Sequence, residues 1–254
     1  MPTRFRLDLW YCGTHFSGSQ SQPNTRTVCG ELKKALEKVC NEQIRLAASG
    51  RTDAGVHAAH QVVSFDTDSK LSPEQFGRAI NSLLPDDIGV NHVTQVAPSF
   101  HALRSAKTRT YRYLWATEVA PFTANQFIVS NQIPFQIKGM DEIREKILGE
   151  HDFTHFRCTG SQEVSPRKVI LDFHCHEKEV KHYFTNSVVK VVEFQIEANS
   201  FLYKMVRNIV GSLMEVFRGK QSVQDFVAMI DGPEKTFQYT PAPAKGLCLV
   251  KVKY

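Results

Sequence analysis

Ala48-Ser49-Gly50-Arg51-Thr52-Asp53-Ala54-Gly55-Val56-His57 is the segment whose residue types and spacing point most directly to chemistry. A carboxylate and a guanidinium stand two positions apart between two glycines. The glycines permit backbone angles closed to other residues and let a large ligand approach the chain. Asp53 could act as a nucleophile, a base or a metal ligand. Arg51 could pair with it, hold a phosphate, or do both. The alternating run Ile44-Arg45-Leu46-Ala47 just before reads as a strand, which puts the segment on a loop leaving a sheet, a common place for reactive groups on a rigid scaffold.

A second group is electrostatic. Arg104, Lys107, Arg109 and Arg112 fall within nine residues that contain no acid, and Tyr111, Tyr113 and Trp115 are interleaved with or follow them. Cations beside aromatic rings suit RNA with an extruded base. The same pattern also describes a solvated strand with one charged and one aromatic face. His151, His155, Cys158, His174, Cys175 and His176 invite a zinc reading, but no pair has a common zinc-finger or H-E-x-x-H spacing. The glycines form neither a P-loop nor a dinucleotide fingerprint, so ATP and NAD are not implied.

Around these groups the chain is ordinary in bulk. Its 254 residues suffice for one large or two small domains, with 42% hydrophobic and 22% charged residues. A net charge of +5 permits a nucleic-acid partner without requiring one. No apolar run approaches the roughly 20 residues of a membrane span. The N-terminus has no signal-peptide pattern, and a cytoplasmic location is the expectation. Six irregularly spaced cysteines without a C-x-x-C pair are expected to be free thiols.

The elements that must position the reactive groups follow from periodicity. Phe5, Leu7, Leu9 and Tyr11 alternate as a half-buried strand, and Leu32, Ala35, Leu36, Val39 and Cys40 form a helical stripe. Strands are expected at 44–48 and 61–65. A helix starts at Ser72-Pro73 and continues to Pro85, and a further strand lies around Val90–Val96. This strand, helix, strand, strand, helix, strand order is ferredoxin-like. The second half repeats it weakly. Strands are expected at Thr110–Ala116, Val169–His174, His182–Asn186, Val188–Ile196 and Leu247–Val252, and helices at 140–148, 203–217 and 222–230. The reading is α+β, with halves 1–105 and 106–254.

Taken in order, these motifs resemble the tRNA pseudouridine synthase A family. The blocks are Tyr11-x-Gly13-x-x-Phe16-x-Gly18-x-Gln20, Gly50 to Ala58, Leu84-Pro85-x-Asp87-Ile88-x-Val90, Phe100-His101-Ala102, Arg109-x-Tyr111-x-Tyr113, His151-Asp152-Phe153-x-x-Phe156 and Met205 to Leu213. The resemblance implies two ferredoxin-like, RRM-like halves sharing a mostly antiparallel sheet, with the active cleft between them. It implies a homodimer that isomerises uridines at positions 38 to 40 of the tRNA anticodon stem-loop without cofactor or metal. Asp53 matches the catalytic aspartate and Arg51 the arginine that helps displace the base. Tyr111 matches the tyrosine against the target uracil, and Arg207 the arginine of the long C-terminal helix. Arg104, Lys107 and Arg109 are candidate RNA contacts.

Three positions depart from the pattern. Cys12 stands where Asp is usual, Ser19 where Trp is usual, and Leu103 where Arg follows Phe-His-Ala. All three are expected in RNA-contacting loops. Arg104 replaces the charge missing at Leu103 only if the segment is not a strand, since adjacent strand residues face opposite sides.

Pseudouridine formation breaks the N1–C1′ bond, turns the uracil, joins C5 to C1′ and releases the C5 proton. The base must first be unstacked, at a cost of a few kcal/mol. One aspartate serves either attack at C1′ or proton abstraction at C2′. A cation within about 4–6 Å keeps it ionised. Two other classes compete: a tRNA-binding or RNA-chaperone protein with little catalysis, and a metal-dependent hydrolase using the His/Cys group.

Overall fold

The computed structural model describes residues 2–116, 128–130, 136–158, 165–181, 186 and 188–254. It divides into two compact units, Met1–Lys107 with Cys248–Tyr254, and Thr108–Leu247. The closing segment, which the halves read from sequence place with residues 106–254, thus packs with the first unit.

In the first unit, β1 (Thr3–Tyr11) buries Phe5, Leu7, Leu9 and Tyr11, as the alternation requires. It pairs antiparallel with β3 (His57–Thr67) on one side and β4 (Ile88–Gln95) on the other. The two-residue β2 (Ala47–Ala48) pairs antiparallel with β3 opposite Ser64 and Val63, which gives the ferredoxin-like order β4-β1-β3-β2. Strand β10 (Leu247–Lys253) joins β3 in parallel through Cys248 and Leu249, opposite His57 and Ala58.

Helix α1 (Val28–Cys40) is capped by the Thr27 hydroxyl and buries Leu32 and Leu36. Helix α2 (Pro73–Asn81) starts with a Ser72–Gln75 capping box and Pro at its first position. Its Phe76 packs on Phe5 and Phe65, with ring centroids 4.8 and 5.9 Å away.

The expected strand at 44–48 is shorter in the structure. The Ile44 amide is taken by the Glu37 carboxylate of α1 at 3.2 Å, so only Ala47 and Ala48 enter the ladder. Helix α2 stops before Leu83 and Leu84, whose N–H groups both turn back to the Ile80 carbonyl, at 3.0 and 3.1 Å, in a tightened last turn.

The second unit starts with β5 (Thr108–Ala116), which pairs antiparallel with β9 (Val188–Ala198). The three-residue β6 (Ile128–Ser130) lies parallel to β5. Strand β9 continues to β8 (Arg167–Lys181) and β8 to β7 (Gly149–Asp152), all antiparallel.

Among the described residues, three α-helices cover this unit: α3 (Met140–Ile147), α4 (Met205–Phe217) and α5 (Val223–Val227). Helix α4 is buried on nearly every side and begins at Met205 because Lys204 adopts a left-handed conformation, φ +59°. Phe156 anchors the core against Phe153 and Phe226, at centroid distances of 6.0 and 5.5 Å. Apart from Asn186, the strand expected at His182–Asn186 lies outside the described residues.

The pairings described are thus mostly antiparallel, as the α+β reading expects. None of the six cysteines is in a disulfide. Among the described residues no helix is long and apolar enough to cross a membrane.

Candidate active site

The Asp53 loop runs from β2 to β3 and is held along its length. At its base the Ser49 amide donates to the Val62 carbonyl at 2.8 Å, and the Ser49 hydroxyl donates to Gln61 Oε1 at 2.5 Å. Gln61 returns Nε2 to the Gly50 carbonyl at 3.0 Å. At its tip Val56 N–H donates to the Asp53 carbonyl at 3.1 Å, closing a turn in which Gly55 has φ +80°. Asp53 is half-buried and Arg51 exposed, while Thr52 between them is buried.

A second loop, residues 12–26, lies against the first. Gly13 N–H donates to His57 Nδ1 at 2.9 Å, and a Cβ on Gly13 would stand 2.0 Å from the Val56 carbonyl oxygen, so the approach requires glycine. Gly55 N–H reaches the Phe16 carbonyl at 3.3 Å. Ser19 exchanges bonds with Thr52: its N–H donates to the Thr52 carbonyl at 3.0 Å, and its hydroxyl accepts Thr52 N–H at 2.8 Å.

The second loop is itself braced. Arg26 forms two 2.7 Å bonds with the Asp87 carboxylate and lies 4.2 Å over the Phe16 ring. Arg26 holds the Asp87 carboxyl below the usual carboxylate range. Cys12 N–H donates to the Asp87 carbonyl at 2.9 Å.

Ser19 was expected in an RNA-contacting loop. It is 1% exposed, with no surface to offer, and serves the Asp53 loop. Tyr11, Gln61, Arg26 and Asp87 have no site role in the sequence reading, and Ser19 has a different one. The signal for Tyr11 and Asp87 lies in the Tyr11-to-Gln20 and Leu84-to-Val90 blocks, which this contact brings together.

In the second unit, Tyr111 and Tyr113 sit on β5, and Trp115 two positions further on shares their face. Tyr113 and Trp115 are 0% exposed, so their rings belong to the core; Tyr111 keeps 9% of its surface open. The aromatic face of this strand is therefore mainly a packing face, and the strand is largely buried rather than solvated. The Tyr111 ring meets Phe201 edge-on, with centroids 5.1 Å apart at 87°. Burial pushes the Tyr113 phenol far up. Arg207 lies in the first turn of α4, half-buried, and donates Nε to the Ala242 carbonyl at 2.7 Å.

The candidate RNA contacts separate by exposure. Arg104 and Lys107 are exposed in the first unit. Arg109 is 8% exposed in the second and donates Nη1 to the Asn199 carbonyl at 2.9 Å. Residues 102–104 form a turn, in which Leu103 and Arg104 are both exposed. His101 Nδ1 accepts both their amides, at 3.2 and 3.4 Å. The strand objection to Arg104 standing in for Leu103 therefore falls.

The histidines of the second unit have separate partners. His151 bridges Asp231 at 2.5 Å and the Leu148 carbonyl at 2.9 Å, His155 reaches the Gly232 carbonyl at 2.9 Å, and His174 meets Asp172 at 2.7 Å. Among the described residues no group of three His, Cys, Asp or Glu could hold a metal.

Comparison with known proteins covers both units. A family model described as tRNA pseudouridine synthase matches residues 10–120 and 143–254. The chain is 40% identical over 260 residues to the tRNA pseudouridine synthase A of Geobacillus sp. (strain WCH70), covering 100% of this chain and 99% of that protein. The proteins of that name in Geobacillus kaustophilus and Maridesulfovibrio salexigens are 38% and 36% identical, over 100% and 99% of this chain and 95% and 90% of theirs. Agreement of this extent, running through the Asp53 loop, β5 and α4 alike, places the chain in the tRNA pseudouridine synthase A family.

Proposed function

We propose that this protein isomerises uridine to pseudouridine in tRNA, at positions 38 to 40 of the anticodon stem-loop, with Asp53 as the catalytic carboxylate. The observation that carries the reading is the Gly50–Gly55 loop. Its backbone is fixed on both sides of Asp53, yet Asp53 itself is only half-buried, and Arg51 beside it is exposed. A carboxylate on so constrained a backbone is suited to a reaction that depends on direction of approach.

In this reading Arg51 helps to displace the base and Asp53 acts covalently at C1′ or as a base at C2′. The N1–C1′ bond breaks, the uracil turns, C5 bonds to C1′, and the C5 proton leaves to solvent or a base. Tyr111 lies against the uracil and Arg207 supports the same uridine. Arg104 and Lys107, both exposed, contact phosphate. Arg109, largely buried and bound to Asn199, acts mainly by holding the end of the β5–β9 ladder. The activity needs no cofactor or metal, and the protein works in the cytoplasm as a homodimer.

Incubating the purified protein with unmodified tRNA transcripts and mapping pseudouridine by mass spectrometry tests the proposal. Pseudouridine at one or more of positions 38 to 40 is expected. Tight tRNA binding with no pseudouridine would favour an RNA-binding or chaperone protein instead.

A further inference from the structure

Thr52 is 7% exposed and spends all three of its polar atoms on the neighbouring loop and strand. Its N–H donates to Ser19 Oγ at 2.8 Å, its carbonyl accepts Ser19 N–H at 3.0 Å, and its hydroxyl meets the Tyr11 hydroxyl at 2.9 Å. Ser19 and Tyr11 are 1% and 2% exposed, so no water competes freely for these bonds. Gly18, at φ +97°, brings Ser19 into place, and a Cβ on it would stand 2.9 Å from the Thr52 carbonyl oxygen.

The Thr52 carbonyl belongs to the peptide plane that leads into Asp53. The next plane is fixed as well, because the Asp53 carbonyl accepts Val56 N–H at 3.1 Å. With both planes held, the direction of the Asp53 Cα–Cβ bond is set, and the carboxylate retains only its own side-chain torsions. We infer that Ser19 and Tyr11 are positioning residues that aim Asp53 through Thr52. The inference rests on the reading of Asp53 as the catalytic carboxylate.

Ser19 is the more specific part of this device. It occupies a position where tryptophan is usual in the family pattern, and an indole N–H can donate but not accept. A tryptophan there could not take the Thr52 N–H. Misaiming a reactive group by about 1 Å costs up to about 100-fold in rate. Loss of one of two bonds to the Thr52 peptide groups is expected to misaim it less.

The test is single-turnover release of tritium from [5-³H]uridine-labelled tRNA at saturating enzyme, with tRNA affinity measured separately and each variant kept below its melting transition. Ser19→Ala should slow the reaction about tenfold while the Kd for tRNA stays within about twofold. Ser19→Thr, which keeps the hydroxyl, should recover most of the rate. Tyr11→Phe should slow it about threefold, again without loss of binding, and keeps the proposal testable if position 19 tolerates no change.

A wild-type rate in Ser19→Ala and Tyr11→Phe would overturn the inference. So would parallel loss of rate and affinity in Ser19→Ala and Ser19→Thr alike, the signature of a loop that merely collapses. Asp53→Ala in the same assay separates the two layers: normal turnover there removes the catalytic reading itself. Its inertness beside a normal Ser19→Ala removes only the positioning role.

Discussion

Gln61 accepts the Ser49 hydroxyl at 2.5 Å and turns its amide to the Gly50 carbonyl, joining the start of the Asp53 loop to the strand that follows it. Gln61 is 1% exposed and its Oε1 also accepts Val62 N–H at 3.1 Å. Replacing it with Leu, close in volume, leaves these groups buried without their partner. The expected loss is about 2 kcal/mol of stability, read as a lower urea midpoint with an unchanged slope. An unchanged midpoint would mean that the loop stands without this anchor.

The Arg26–Asp87 pair makes stability depend on pH. Arg26 holds the Asp87 carboxyl below its usual range, so the pair's contribution is complete above the unfolded carboxylate value of about 4. It is lost as pH falls through the lower, folded value. Asp87→Asn is expected to cost about 1 kcal/mol at neutral pH, with the gap to wild type closing in acid. A gap that widens in acid would reverse the sign and exclude this pair as its source.

Tyr111 and Tyr113 share a strand face and should respond oppositely. The Tyr113 hydroxyl is buried without a hydrogen-bond partner among the described residues. Tyr113→Phe is therefore expected to keep turnover and to hold or raise the melting temperature. Tyr111→Phe should keep more activity than Tyr111→Ala if the ring face matters most. Equal and complete loss in both Tyr111 variants would implicate the hydroxyl.

Arg104 and Lys107 are exposed, whereas Arg109 is tied to Asn199. Replacing Arg104 and Lys107 together by Ala should weaken tRNA binding and reduce the slope of log K against log salt by about 1.5. Arg109→Ala should act mainly by lowering stability, with little change in that slope. An unchanged slope in the double variant would move the RNA path elsewhere.

Much of this was legible in the sequence because it is local. The alternation of β1, the Ser72-Pro73 start of α2 and the stripe of α4 each follow from short-range periodicity or capping. Where the elements differ, a bond outside the periodic pattern intervened. Glu37 takes the amide of Ile44 beside the shortened β2, and the Leu83 and Leu84 amides converge on the Ile80 carbonyl where α2 ends. Strand β7, Gly149-Glu150-His151-Asp152, has no apolar alternation to read.

The candidate site divides the same way. Asp53 and Arg51 stand out by type and spacing. The bonds from Ser19 and Tyr11 to Thr52 join residues 33 and 41 positions apart in the chain. No local pattern encodes such a contact, so Ser19 reads as a surface departure until the fold is known.

The most direct test of the central claim is tritium release from [5-³H]uridine-labelled tRNA by wild type and Asp53→Ala, with tRNA affinity measured in parallel. Wild type should release tritium, and the variant should release none while binding tRNA within about tenfold of wild type, since one half-buried carboxylate contributes little to a contact dominated by phosphates. Tritium release by Asp53→Ala at the wild-type rate would contradict the account.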